Sequence, residues 1–89
     1  MEEIEAIISG RVQLVMFRDF AQRQARKLNL TGFVKNNNDG TVTAIAQGAT
    51  SALTAFIAHL KSGSFLSRVD SIAVEWRTPT TTFTDFLIF

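Results

Sequence analysis

The chain has 89 residues, with nine lysines and arginines against eight acidic side chains, one histidine and no cysteine. That length fits one domain, residues 1–89, with a modest core; the absence of thiols excludes disulfides, thiol catalysis and thiolate metal sites, and a lone histidine gives no reason to expect a metal centre. A net charge of +1 is too small to argue for nucleic acid, and the acidic start Met1-Glu2-Glu3-Ile4-Glu5 without a long apolar run predicts neither signal peptide nor membrane span, so a cytoplasmic location is expected.

Ile4, Ala6, Ile8, Gly10 and Val12 alternate with their neighbours at a period of two, which predicts a first strand with Arg11 on its solvated side. Phe17, Phe20, Ala21, Ala25 and Leu28 then recur at helical spacing, opposite Gln22, Arg23, Arg26 and Lys27, and Asn29 to Gly32 closes the helix. Arg18 stands at the start of this helix, where free N–H groups carry a partial positive charge. A cation is poorly placed there unless an anion sits between guanidinium and amides.

Phe33–Asn37 and Thr41–Gln47 predict two strands joined through Asn38-Asp39-Gly40, residue types that tolerate the positive φ of a hairpin turn. Thr50 is the expected N-cap of a second helix, whose apolar face is Leu53, Phe56, Ile57 and Leu60 and which stops near Ser62-Gly63. Asp70, Ile72, Val74 and Trp76 alternate with Ser71, Ala73 and Glu75 as a fourth strand, and that parity assigns Trp76 to packing. Pro79 marks a connection, and Phe83 to Phe89 predicts a last strand. Phe83, Phe86 and Ile88 are expected to complete the core, whereas Leu87 and Phe89 have no assignment. The order βαββαβ with a short C-terminal strand is the split βαβ arrangement of ferredoxin-like α+β domains, two helices on one face of an antiparallel sheet. No acidic residue occurs from Thr41 to Val69, so weak self-association is open, although a monomer is expected.

Two segments carry a family resemblance. Gly10, Val12, Gln13, Val15, Phe17 and Arg18 match the signature Gly-x-Val-Gln-Gly-Val-x-Phe-Arg, and Gly32, Val34, Asn36, Asp39, Gly40 and Val42 match a second segment. With Val69-Asp70-Ser71-Ile72, Val74 and Trp76 downstream, and Phe83, Phe86 and Ile88 after them, the whole chain resembles the acylphosphatase family. The resemblance implies hydrolysis of small acyl phosphates to carboxylate and inorganic phosphate without metal or other cofactor. It implies that Arg18, with the main-chain amides of Leu14, Val15, Met16, Phe17 and Arg18, cradles the phosphate, and that Asn36 orients the attacking water. The chemistry suits so sparse a site. A carboxylate is the conjugate base of an acid with a pKa of about 4 and departs without a general acid, which leaves positioning and charge stabilisation as the enzyme's task.

One residue departs from the family pattern: Leu14 stands where glycine is usual. A Cβ there is expected to strain the loop by roughly 1 to 3 kcal/mol or to turn amides away from the anion. The alternative reading is therefore a non-catalytic binding or structural domain whose cradle is impaired by Leu14. The acylphosphatase-like segment of hydrogenase-maturation carbamoyltransferases also resembles this chain, but those are large multidomain proteins. RNA binding on the same topology would need base-stacking aromatics on a central strand, and Thr41-Val42-Thr43-Ala44-Ile45-Ala46 has none. No nucleic-acid or membrane partner is expected. His59, Lys35 and Arg23 read as surface residues.

Overall fold

The computed structural model describes residues 1–89. Its elements are β1 (Glu2–Arg11), α1 (Phe17–Lys27), β2 (Thr31–Asn36), β3 (Val42–Gly48), α2 (Thr50–Ser62), β4 (Arg68–Arg77) and β5 (Phe86–Ile88). The strands form one sheet in the order β4-β1-β3-β2-β5. The first four pair antiparallel, and β5 is added parallel to β2, so the sheet is mixed at one edge.

Alternation along β1 decides which face is covered. Ile4, Ala6 and Ile8 lie opposite Ala46, Ala44 and Val42 of β3 and opposite Trp76, Val74 and Ile72 of β4. All three β1 residues are fully buried beneath the helices, which contribute Phe17, Ala21 and Ala25 from α1 and Leu53, Phe56 and Leu60 from α2. Spacings of three and four residues put each helical set on one stripe. Trp76 keeps the core parity expected of it but stays exposed, because β4 is an edge strand.

On the opposite face, residues 78–85 cross the sheet. Gln47 is buried there and pins the crossing. Its amide nitrogen donates to Glu3 (2.7 Å) and to the Thr81 carbonyl, and its oxygen accepts from Phe83 N (3.1 Å). Glu3, also buried, accepts a second bond from Arg77.

That crossing revises the expected C-terminal strand. Only Phe86–Ile88 pair with β2, since the chain is held over the sheet until Asp85, whose carbonyl accepts Gly32 N at 2.9 Å. Phe86 is buried edge-on to Phe56 at 5.8 Å, as its core role requires. Phe83 belongs to the crossing and packs on the open face against Phe33 (5.7 Å), and Ile88, at the outer edge of the sheet, is 38% exposed. Phe89 acquires a role, lying 5.3 Å from Phe33.

Two further details correct or sharpen the sequence reading. Ala49, not Thr50, occupies the N-cap of α2, and the Thr50 hydroxyl donates to the Glu2 carboxylate. Gly10, at φ 128°, sits where the β1–β4 register slips, and a Cβ there would stand 2.1 Å from the Arg68 carbonyl oxygen. The bulge bends the end of β1 just before the loop that leads into α1. No helix is long and apolar enough to cross a membrane.

Candidate active site

The loop between β1 and α1 is fastened at both ends, because Val12 and Phe17 are buried in the core. Between them φ is 60° at Leu14 and 59° at Met16, with Val15 on the ordinary negative side. Such alternation curls the main chain so that successive N–H groups converge on one concave side, a nest suited to an anion. Val15 turns toward the core while Leu14 and Met16 point out.

Helix α1 opens directly from this curl. Met16 is its N-cap and supplies no side-chain acceptor, and the first helical bond is Phe20 N to Met16 O at 3.0 Å. The amides of Phe17, Arg18 and Asp19 therefore have no partner within the helix, and the helix field favours a negative charge in front of them. Asp19 does not supply it, since its carboxylate is turned to Arg23 at 3.0 Å. Arg18 lies in this first turn. One of its terminal nitrogens donates to the main-chain oxygen of Phe89 (2.7 Å), and Phe89 N in turn donates to Val34 O (2.9 Å). The guanidinium is thereby tied to β2, two residues from Asn36.

Asn36 ends β2 opposite Val42. Its side-chain oxygen is buried and accepts no hydrogen bond from the protein. Leaving such an acceptor unpaired costs roughly 1 to 3 kcal/mol, so the position calls for a donor such as water.

Gln13 joins the loop to the β2–β3 hairpin. Its amide nitrogen donates to Asn37 O (2.9 Å) and Thr41 O (2.8 Å); within the turn Thr41 O also accepts from Asn37 N (2.8 Å) and Asn37 O from Gly40 N (3.3 Å). Asn37 braces the hairpin from within, donating to the hydroxyls of Thr41 (2.9 Å) and Thr43 (2.7 Å). Asp39 closes the tip by accepting from the Thr41 hydroxyl (2.6 Å) and amide (3.0 Å). Those two bonds hold its carboxyl below the usual carboxylate range.

The structure thus brings the predicted residues Leu14, Val15, Met16, Phe17 and Arg18 into one curl and ties it to the strand that carries Asn36. Of the two effects expected of Leu14, the strained backbone is present, since its φ is 60°. The leucine takes the left-handed conformation and is 98% exposed, at a cost of about 1 to 2 kcal/mol. His59 is exposed on α2, as expected of a surface residue. Sequence reasoning quoted Gln13 only as part of a motif and overlooked Asn37. The signal for Gln13 was its position as the one polar residue in the run Val12 to Phe17, where a buried amide has to find partners. Chemically, the curl and helix start offer main-chain donors and a guanidinium to an oxyanion, and the Asn36 side-chain oxygen is an acceptor that the protein leaves unpaired.

Known proteins resemble the chain over nearly its whole length. The acylphosphatase family model matches residues 4–88. An acylphosphatase of Methanococcoides burtonii is 45% identical over 84 residues, covering 94% of this chain and 88% of its own. One from Thermus thermophilus is 43% identical over 76 residues, covering 85% and 86%. The crystal structure of acylphosphatase from Bacillus subtilis superposes with a TM-score of 0.97 at 39% identity, covering 100% of this chain and 99% of that one.

Proposed function

This chain belongs to the acylphosphatase family and hydrolyses acyl phosphates to a carboxylate and inorganic phosphate, and we propose that Leu14–Arg18 hold the phosphoryl group while Asn36 positions the water. The observation that carries this assignment is the reversal of φ through Leu14, Val15 and Met16 immediately before an uncapped helix bearing Arg18. A concave row of amides next to a fixed guanidinium matches three equatorial phosphoryl oxygens, where charge is spread in the transition state.

The reaction then proceeds by in-line displacement at phosphorus. Water donates a hydrogen bond to the Asn36 side-chain oxygen, which holds it with a lone pair free for phosphorus. As the new P–O bond forms, the bond from phosphorus to the acyl oxygen breaks and its electron pair leaves on the carboxylate. The proton of the water ends on the phosphate product or on solvent. Because the leaving carboxylate is a weak base, no side chain has to protonate it. Each preorganised donor is worth roughly 3 to 4 kcal/mol in such a transition state. Gln13 takes no part in bond changes. It holds the Asn36 end of the hairpin against the curl.

We read residues 1–89 as a single domain acting on small acyl phosphates, in keeping with a family match that spans residues 4–88. The test is turnover of a synthetic acyl phosphate in the presence of a chelator, with inorganic phosphate as competitive inhibitor. Arg18→Ala is expected to abolish both turnover and phosphate inhibition. Asn36→Ala should retain phosphate inhibition and lose most turnover; equal loss of both would contradict the role assigned to Asn36.

A further inference from the structure

The face of the sheet opposite the helices carries an open cavity of about 250 Å³ beneath the crossing segment. Phe33, Ile45 and Phe83 form its apolar wall, Glu5 and Arg77 its charged wall, and Thr81 lines it from the crossing. Phe33 and Phe83 meet edge-on at 5.7 Å. They come from different elements, β2 and the crossing that Gln47 pins, so the wall is built by long-range structure. Glu5 stands near the start of β1, whereas the phosphate curl follows the end of that strand. The cavity is therefore separate from the active site.

Charge around this cavity is unbalanced. Strand register sets Phe33 beside Ile45, Ile45 beside Glu5, and Glu5 directly opposite Glu75 of β4. Like charges opposite each other on neighbouring strands destabilise a sheet. Arg77 answers them only in part, because its Nε is given to Glu3. A terminal nitrogen of Arg77 lies 3.9 Å from Glu5 and 3.7 Å from Glu75, too far for hydrogen bonds. Three carboxylates thus share one guanidinium. A neutral side chain at position 5 would serve the sheet better. What Glu5 supplies instead is a charged acceptor, without a hydrogen-bond donor from the protein, beside an aromatic wall.

We propose that this cavity binds a small organic cation, a primary ammonium carried on an aromatic body, as in an arylalkylamine. The ammonium donates to the Glu5 carboxylate and offsets its repulsion with Glu75, while the ring lies against Phe33, Ile45 and Phe83. Alkylammonium groups titrate at about pH 10 and so keep their charge at neutral pH. The cavity is smaller than the roughly 300 to 1,000 Å³ of sites for drug-sized ligands, which restricts the occupant to a single ring with a short amine chain.

The experiment titrates 2-phenylethylamine, n-propylamine and phenylacetate into the ¹⁵N-labelled protein at neutral pH and low salt, where screening is weak. Propylamine lacks the ring, and phenylacetate puts a carboxylate where the ammonium was. 2-Phenylethylamine should bind about tenfold more tightly than either. Its amide displacements should centre on Phe33, Ile45, Thr81 and Phe83. Glu5→Gln keeps the shape of the side chain without its charge and should weaken 2-phenylethylamine about tenfold. The comparison of probes uses the unaltered protein and does not depend on folding of the variant. Equal affinity for the three probes, displacements centred on residues 14–18, or undiminished binding to Glu5→Gln overturns the proposal.

Discussion

Leu14 holds a backbone conformation that glycine adopts freely, and the difference is measurable. Leu14→Gly relieves about 1 to 2 kcal/mol of left-handed strain and gives back about 0.5 to 1 in unfolded-chain entropy. Urea unfolding should therefore show a gain of about 0.5 to 1 kcal/mol; a loss would mean that the loop does not hold φ near 60° in solution. Asp39 sets a pH limit on the hairpin tip. Its carboxyl is held below the ordinary range by the Thr41 hydroxyl and amide. Its contribution to stability is accordingly complete above the unfolded carboxylate pKa of about 4 and is lost as pH falls through the lowered folded value. Amide exchange at Thr41 should accelerate across that interval in the wild type and show no such pH step in Asp39→Asn. The places of Arg18 in the first turn of α1 and of Asn36 at the end of β2 were legible from periodicity and turn residues, whereas the roles expected of them came from the family resemblance. Nothing in a leucine announces a positive φ, so the shape of the curl had to come from the fold, in which Val12 and Phe17 are both buried and force the link between them to turn.

Among the elements, the hairpin and the β1–α1 loop behave as one unit through a single amide. Gln13→Leu removes both bonds to Asn37 O and Thr41 O, yet each carbonyl keeps a main-chain partner. The expected result is a modest stability loss of about 1 to 2 kcal/mol with a severalfold fall in kcat and a smaller change in phosphate inhibition. Unchanged kcat would show that the hairpin holds Asn36 in place without the loop. Both helices were legible because their apolar residues recur on one face, and the hairpin because Asn38, Asp39 and Gly40 suit its turn. The start of β5 was not. Phe83 continues an aromatic, β-prone run, and only the long-range bonds from Gln47 to the crossing segment show that the chain is not yet in the sheet there.

For the molecule as a whole, one aromatic contact joins the late strand to the rest of the core. Phe86 is fully buried and meets Phe56 of α2 edge-on at 5.8 Å, and the α1 side chains Gln22 and Arg26 donate to its carbonyl at 3.0 and 3.2 Å. Phe86→Ala should cost about 3 to 5 kcal/mol in chemical unfolding. Because Phe89 is the partner of Arg18, turnover should fall along with stability; intact turnover would show that Arg18 keeps its position without β5. The element order and the covered face were predictable from periodicity, whereas the parallel pairing of β5 with β2 depends on contacts between residues more than fifty apart in the chain. The central claim is that an oxyanion sits in the curl between Arg18 and the amides of the α1 start. It is tested most directly by titrating inorganic phosphate into the uniformly ¹⁵N-labelled protein and following the amide spectrum. The largest displacements should fall on the main-chain amides of residues 14–18 and on the side-chain amide of Asn36. Displacements centred elsewhere, with those signals unmoved at saturation, would contradict it.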